Sequence, residues 1–153
     1  MRTIKFKAKR IDNGEWLEGY YRGSSYEDKA FIYRIKRPPL AFEVDPSTVG
    51  QYTGFKDKNN KEVYEGDVLR SDEYPFSRVE CNELDNYYGT IDWNKKEASF
   101  NIMAIKNPES SELNIFDGIR APITQKVMYD FEVVGNIHDP EWQQKLKLTR
   151  NIV

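Results

Sequence analysis

Apolar and polar residues alternate along the first 22 positions, and Asn13-Gly14 interrupts the alternation. Alternation is typical of a strand with one buried side, and Asn-Gly favours a two-residue type I′ turn. The pattern predicts a hairpin in which Ala8 lies opposite Gly19 and Phe6 opposite Tyr21. One face then carries Ile4, Phe6, Ala8, Leu17 and Tyr21. The other face carries Lys5, Lys7, Lys9, Trp16, Glu18, Tyr20 and Arg22.

Similar alternation predicts further strands and hairpins along the chain. The segment from Thr53 to Arg70 combines a polar loop at 57–61 with a corner at Gly66, which is typical of a β-hairpin. Asp139-Pro140 predicts the start of a short helix, because Asp suits the N-cap and Pro the first helical position. Residues 72–86 show little periodicity and predict a surface excursion. Other strands are predicted at 30–35, 49–53, 87–93, 100–104 and 131–137.

These elements predict a mainly β protein in which antiparallel hairpins form a small β barrel or barrel-like sheets, with a short C-terminal helix. A chain of 153 residues fits one domain or two small β lobes. Neither proline of Pro38-Pro39 can donate to a strand ladder, so this dipeptide is the best candidate boundary, dividing 1–39 from 40–153. Only 39% of the residues are hydrophobic and 10 are Tyr, so the core must rely on large aromatic side chains.

Charge is unevenly distributed along the chain. Residues 1–39 carry ten Lys or Arg and five Asp or Glu, whereas residues 40–153 carry thirteen and twenty. Such asymmetry accompanies a surface for nucleic acid or an acidic partner, and it also arises when two sheets solvate their outer faces differently. Cys81 is the single cysteine, no apolar run reaches membrane length, and no signal-peptide pattern opens the sequence. We therefore expect a cytoplasmic protein with no membrane partner.

The chain has few residues of the types that metal binding or catalysis requires. One Cys and one His are too few ligands for structural zinc, so no metal or other cofactor is expected. His138 is the single candidate base for a nucleophile, and Glu65 with Asp67 is a candidate acid–base pair. In the Asp57-Lys58-Asn59 turn, side-chain to backbone hydrogen bonds are a better interpretation than cation binding. We expect no catalytic residues and no enzyme activity.

The polar face of the first hairpin is the strongest candidate site. Its cations interleave with rings, a pattern that can follow a phosphate backbone and stack bases. The alternative is a solvated edge whose lysines prevent strand aggregation, aided by a cross-strand pair between Lys9 and Glu18. The candidate nucleic-acid-binding residues are Lys5, Lys7, Lys9, Trp16, Tyr20 and Arg22.

Three ordered segments resemble a known family. They are IKFKAKRIDNGEWLEGYY at 4–21, VDPSTVGQYTGFKDKNNKEVYEGDVLR at 44–70 and FEVVGNIHDPEW at 131–142. Together they resemble the YopX family of bacteriophage and prophage proteins, although the family usually has Gly where this chain has Asn60. Asn also tolerates the left-handed conformation, so the turn should survive. The resemblance implies a predominantly β fold, a phage or prophage origin and a bacterial host cytoplasm.

The resemblance implies no reaction, cofactor or site residue, and positions 71–128 lie outside its motifs. We therefore expect a phage accessory protein that acts as a non-catalytic β scaffold. Its abundant Tyr and Trp residues favour binding to a protein partner or to copies of itself, which makes a homo-oligomer an expectation. The alternative is a nucleic-acid-binding module that uses the first hairpin, because that face combines cations with rings.

Overall fold

The computed structural model describes residues 1–24, 27–34, 39–72, 86–109 and 118–150, with side chains up to residue 147. Two antiparallel sheets and two short helices account for its regular structure, which confirms the predicted fold class, although the sheets are not closed into a barrel. The strands are β1 Phe6–Lys9, β2 Trp16–Gly23, β3 Ala30–Arg34, β4 Leu40–Val44, β5 Gly50–Lys56, β6 Glu62–Tyr64, β7 Asp67–Ser71, β8 Tyr87–Asn94, β9 Ser99–Ile105, β10 Arg120–Pro122 and β11 Glu132–Asn136. The helices are α1 Gln125–Met128 and α2 Pro140–Arg150.

Strand pairing follows the orders β4-β3-β2-β1-β5-β6 and β10-β9-β8-β7-β11. The chain divides into two compact units, Met1–Gly54 and Phe55–Val153, so the division falls within β5. Of the proline dipeptide considered as a boundary, Pro39 is described; it precedes β4, which pairs with β3 in the first unit. Neither described helix has the length and apolar character that crossing a membrane requires.

The first hairpin forms with the predicted faces, but its predicted register is wrong. Phe6 lies opposite Gly19, two positions away from the expected partner. The Arg10 N–H donates to the Glu15 carbonyl at 3.0 Å, so the loop has four residues rather than two. Within it, the Asn13 side chain accepts from the Glu15 N–H at 3.0 Å, which favours this longer loop. Because side chains alternate with period two, a shift of two residues leaves each side chain on its face.

The core of the first unit lies on the apolar face of this hairpin. Residues of β3 and β4 complete it, and an isolated bridge joins Arg10 to Val44. Asp45 caps the short 3-10 turn Pro46–Thr48 that leads into β5, accepting from the Ser47 N–H at 2.9 Å. The buried side chains of this core are Ala8, Leu17, Ala30, Ile32 and Val44.

The second unit has the larger core. The hairpin of β8 and β9 agrees with the predicted alternation at 87–104, since Ile91 faces Ile102. Strand β10 and helix α1 were not predicted from the sequence; both are short and follow a stretch, 110–117, outside the described residues. The predicted surface excursion at 72–86 lies almost entirely outside them as well. The buried side chains of this core are Val63, Leu69, Ile91, Phe100, Ile102, Ile123, Met128 and Phe131.

Within the second unit, the C-terminal helix α2 packs against β8 and β11 through Trp142, which is buried. Its Nε1–H donates to the Val134 carbonyl at 3.3 Å, and its ring lies 5.8 Å from that of Tyr88. Gly135 permits this approach, because a Cβ there would lie 2.1 Å from the Trp142 Nε1 atom. The helix therefore rests on a strand that needs a glycine at this position. Burial raises the pKa of the Tyr88 hydroxyl above its usual value.

Candidate binding face of the first unit

Asp57 organises the turn between β5 and β6 in the second unit. The carboxylate is almost completely buried, and its Oδ1 accepts from the backbone N–H groups of Asn59 and Lys61, both at 2.8 Å. Its Oδ2 accepts from the Val133 N–H at 2.9 Å, which ties the turn to β11. Asn60 adopts φ 63°, so the left-handed conformation expected there is present. The structural interpretation of this turn is confirmed.

Asp67 has the same role at the next corner. Gly66 turns the chain with φ 83°, as expected, and Asp67 is completely buried behind it. The Asp67 carboxylate accepts from the Tyr64 N–H at 2.8 Å and from the Asn136 side-chain amide at 3.0 Å. The side-chain oxygen Oδ1 of Asn136 in turn accepts from the backbone N–H of His138 at 3.0 Å. The residues that the sequence suggested for catalysis thus lie around a corner held by hydrogen bonds.

The outer face of the first unit is assembled from β5, β1, β2 and β3. Lys9 lies opposite Trp16, Lys7 opposite Glu18 and Tyr20 opposite Tyr33. Opposite residues of an antiparallel pair share a face. We call this surface the cation–ring face; it comprises Lys5, Lys7, Lys9, Trp16, Glu18, Tyr20, Arg22, Tyr33 and Tyr52.

Lysine ammonium groups lie over the rings of the cation–ring face. The Nζ atoms of Lys7 and Lys9 lie 4.9 Å and 5.2 Å from the Trp16 ring centroid. The Nζ of Lys5 lies 5.3 Å from the ring of Tyr52 on β5. These are cation–π distances, each contact contributing about 0.5–1 kcal/mol at exposed sites. Three lysines are therefore held in a row, with their stems packed along aromatic surface.

Toward the end of β2, the cation–ring face has side chains that are more exposed than its lysines and Trp16. Tyr20 is 51% exposed and Arg22 is also exposed, whereas Tyr33 is half-buried. The Arg22 guanidinium donates to the Tyr33 hydroxyl at 3.4 Å, which connects β2 with β3. All six residues predicted for this surface thus lie on one face, although the expected pairing of Lys9 with Glu18 is wrong. Because the register is shifted, Glu18 lies opposite Lys7 instead.

Comparison with known protein families matches residues 3–141 to the family described as YopX protein. The chain belongs to the YopX family. The match includes the whole cation–ring face and both buried aspartate corners. No curated protein matches the chain.

The three segments that resemble YopX proteins have separate positions in the structure. The segment at 4–21 forms much of the cation–ring face in the first unit. The segment at 44–70 spans the division between the units, and its Asp57 and Asp67 bond to residues of the segment at 131–142 within the second unit. In this YopX protein the second and third segments are therefore joined by buried polar contacts that hold the fold.

Several charged groups close to the Asp57 turn form ion pairs. Arg70 on β7 pairs with Glu132 on β11, and this carboxylate holds the pKa of Arg70 above its usual value. Lys58 lies 3.8 Å from Glu132 and 3.7 Å from Asp72. Among the residues described, no cluster of three or more His, Cys, Asp or Glu side chains is arranged to hold a metal ion.

A cavity of about 390 Å³ lies beside α2 in the second unit. Its walls come from β8, β9 and the helix, and Lys147 is the one titratable group among the residues that line it. A single lysine gives no acid–base pair. The lining residues are Thr90, Met103, Ile105, Ile137, Gln143, Leu146 and Lys147.

Tyr33 and Tyr52 were not predicted from the sequence as members of the cation–ring face. Both belong to strands that the sequence did predict, at 30–35 and 49–53. The alternation of apolar and polar residues predicts which side chains share a face of one strand. It does not predict which other strand pairs with that strand. Strand order, which places β5 and β3 on either side of the first hairpin, was the missing information.

Proposed function

We propose that this protein is a non-catalytic binding module whose working surface is the cation–ring face and whose partner is anionic. It would act as a phage or prophage accessory protein in a bacterial host cytoplasm, as the resemblance and the single cysteine imply. The observation that carries the proposal is the row of Lys5, Lys7 and Lys9 held over Trp16 and Tyr52. A row of cations on an aromatic platform suits a negatively charged macromolecule.

The charge of the first unit supports this assignment. Met1–Gly54 carries ten Lys or Arg and seven Asp or Glu, whereas Phe55–Val153 carries thirteen and eighteen. The first unit is thus basic within an acidic protein. Local potential, rather than the net charge of the whole chain, governs the approach of a charged partner within a Debye length of about 8–10 Å.

The positions of the candidate catalytic groups also support a binding role. Asp67 bonds to the backbone of Tyr64 and to Asn136, and His138 follows directly in the same network. Groups that satisfy buried backbone donors are constrained by folding. We therefore assign Asp67 to the architecture of the second unit and propose no reaction for this protein.

Changing Lys5, Lys7 and Lys9 together to Gln tests the proposed surface. Binding of a fluorescent dextran sulfate, measured by anisotropy at several salt concentrations, should weaken by about 3- to 100-fold, since each exposed ion pair contributes about 0.2–1 kcal/mol. The loss should shrink as salt is raised. A matched control changes Lys95, Lys96 and Lys126, which are exposed in the second unit, to Gln. Equal binding by the two triple variants would contradict the proposal.

A second candidate is docking of a protein partner or a second copy through the first unit. It is favoured by exposed apolar side chains: Ile11 is 60% exposed and Leu40 is 46% exposed. Leu40 begins β4, the outermost strand of its sheet. Exposed apolar groups beside an edge strand are typical of an association surface.

Sedimentation velocity over a range of concentrations tests this second candidate. The parent should sediment faster as its concentration rises, whereas a variant with Ile11→Asp and Leu40→Asp should remain a monomer, because burying a carboxylate in an interface is costly. Ile119→Asp is the matched control, since Ile119 is 40% exposed in the second unit. A parent that stays monomeric throughout would exclude self-association.

A further inference from the structure

We infer that the cation–ring face binds single-stranded nucleic acid, with Trp16 as a platform on which a base stacks. The inference rests on the proposed function, because it names the partner of the same surface. It requires two things of the face: cations spaced to follow a chain of phosphates, and rings placed where bases would lie beside that chain.

The cations form a line along one strand. Lys7 and Lys9 belong to β1 and Lys5 directly precedes it, and all three alternate with Phe6 and Ala8, which face the core. Alternate residues of a strand are about 6.8 Å apart, so the three lysines extend over about 13 Å. Arg22 extends the positive charge onto β2. A linear polyanion can lie along this row and contact several cations at once.

Trp16 lies beside this line, on β2 opposite Lys9. Its ring is half-buried, and the ammonium groups of Lys7 and Lys9 lie within about 5 Å of it. A base that stacks on a protein ring contributes about 1–3 kcal/mol, whereas an exposed cation–π contact contributes about 0.5–1 kcal/mol. A nucleotide can therefore replace an ammonium at the ring with its base, while its phosphate receives that ammonium.

Tyr20 and Tyr33 provide a second stacking position. They lie opposite each other on β2 and β3, and Tyr20 is 51% exposed. Tyr20 follows Trp16 by four residues on the same strand, which places the two ring positions about 13 Å apart along β2. This distance matches the length of the lysine row on the neighbouring strand. Phosphates and bases of one extended strand can thus meet cations and rings side by side.

The rings distinguish a single strand from other anions. In a duplex the bases stack on each other and present only their edges in the grooves, so Trp16 cannot reach a base face. An acidic protein segment offers carboxylates to the lysines but no bases to the rings. Glu18, exposed on the same face opposite Lys7, weakens purely electrostatic binding. Recognition that combines phosphates with bases is therefore the best match to this surface.

The test compares a labelled 16-nucleotide oligo(dT) with a 16-base-pair duplex by anisotropy, and follows tryptophan fluorescence in parallel. The parent should bind the single strand more tightly, with quenching of its tryptophan emission. Trp16→Leu should lose the quenching and bind about 5- to 100-fold more weakly, and Trp16→Phe should retain part of the affinity. Trp93→Leu is the matched control, because Trp93 is 38% exposed in the second unit. Circular dichroism verifies that each variant is folded.

The outcomes separate this inference from the proposed function. If the parent binds dextran sulfate and duplex as tightly as oligo(dT), with no quenching, the surface binds anions but the inference is wrong. Equal loss of affinity in Trp16→Leu and Trp93→Leu would also overturn it. If nothing anionic binds at low salt, the proposed function fails as well.

Discussion

Replacing Asp57 by Ala is expected to lower the free energy of unfolding by about 2–4 kcal/mol, because the change leaves three partly buried backbone donors without their acceptor. The Asp57 carboxylate accepts from the N–H groups of Asn59 and Lys61 at 2.8 Å and from that of Val133 at 2.9 Å. The first two contacts hold the β5–β6 turn, and the third fixes the turn to β11. Urea unfolding followed by tryptophan fluorescence measures the loss.

A graded variant and a surface control make this prediction specific. Asp57→Asn keeps one oxygen for the turn and places an NH₂ group against the Val133 N–H, so a loss of about 1–2 kcal/mol is expected. Glu97→Ala changes an exposed acid in the β8–β9 turn and should alter stability by less than about 0.5 kcal/mol. If Asp57→Ala and Glu97→Ala unfold at the same urea concentration, the structural role of Asp57 is refuted.

Asp67→Ala is expected to have an effect of similar size, about 3–5 kcal/mol, since Asp67 is completely buried. Its carboxylate accepts from the Tyr64 N–H at 2.8 Å and from the Asn136 amide at 3.0 Å. Removing it leaves both donors unsatisfied in the interior. The same urea experiment measures the effect, because buried Trp142 in this unit is a fluorescent reporter.

Variants of Asp67 and of its hydrogen-bond partner Asn136 further test the structural role of this carboxylate. Asp67→Asn should cost about 1–3 kcal/mol, because both neighbours are donors and an amide offers one acceptor oxygen. Rotating the Asn136 amide does not relieve this, since its oxygen accepts from the His138 N–H. The losses for Asp67→Ala and Asn136→Ala should fall short of additivity by at least about 0.5 kcal/mol in the double variant. Full additivity would show that the two side chains act independently.

These two aspartates also separate a structural role from a catalytic one. Catalytic groups are commonly held at some expense of stability, so replacing them often leaves the fold equally stable or more so. Asp57 and Asp67 are expected to behave in the opposite way. A large loss on replacing either one therefore supports the assignment of these YopX motifs to folding.

The hairpins were predictable from alternation because a strand with one buried side repeats every two residues. That period places Phe6 and Ala8 inward and the lysines of β1 outward whichever strand lies beside them. The register of the first hairpin was mispredicted, because Asn13-Gly14 is compatible with more than one loop length. The Glu15 N–H donates to the Asn13 side chain, and this hydrogen bond favours a loop of four residues. The alternation of apolar and polar residues does not predict it.

The candidate site was predictable in part for the same reason. Its six predicted residues share a face in either register, so they lie together even though the register of the first hairpin was mispredicted. Tyr33 and Tyr52 joined them only when β3 and β5 paired with the two strands of the first hairpin. The short elements β10 and α1 were not predictable, since a strand of three residues and a helix of four carry too little periodicity.

By itself the sequence determined the β class, the two faces of the first hairpin, the left-handed turn at Asn60, the corner at Gly66, and the family. These depend on local preferences of a few residues, which neighbouring strands do not change. Only the tertiary structure decided that Asp57 bonds to β11, that Asp67 meets Asn136, and that four strands combine into the cation–ring face. Such contacts join positions up to 76 residues apart, and their stability comes from burial and hydrogen bonding that exist only once the chain has folded.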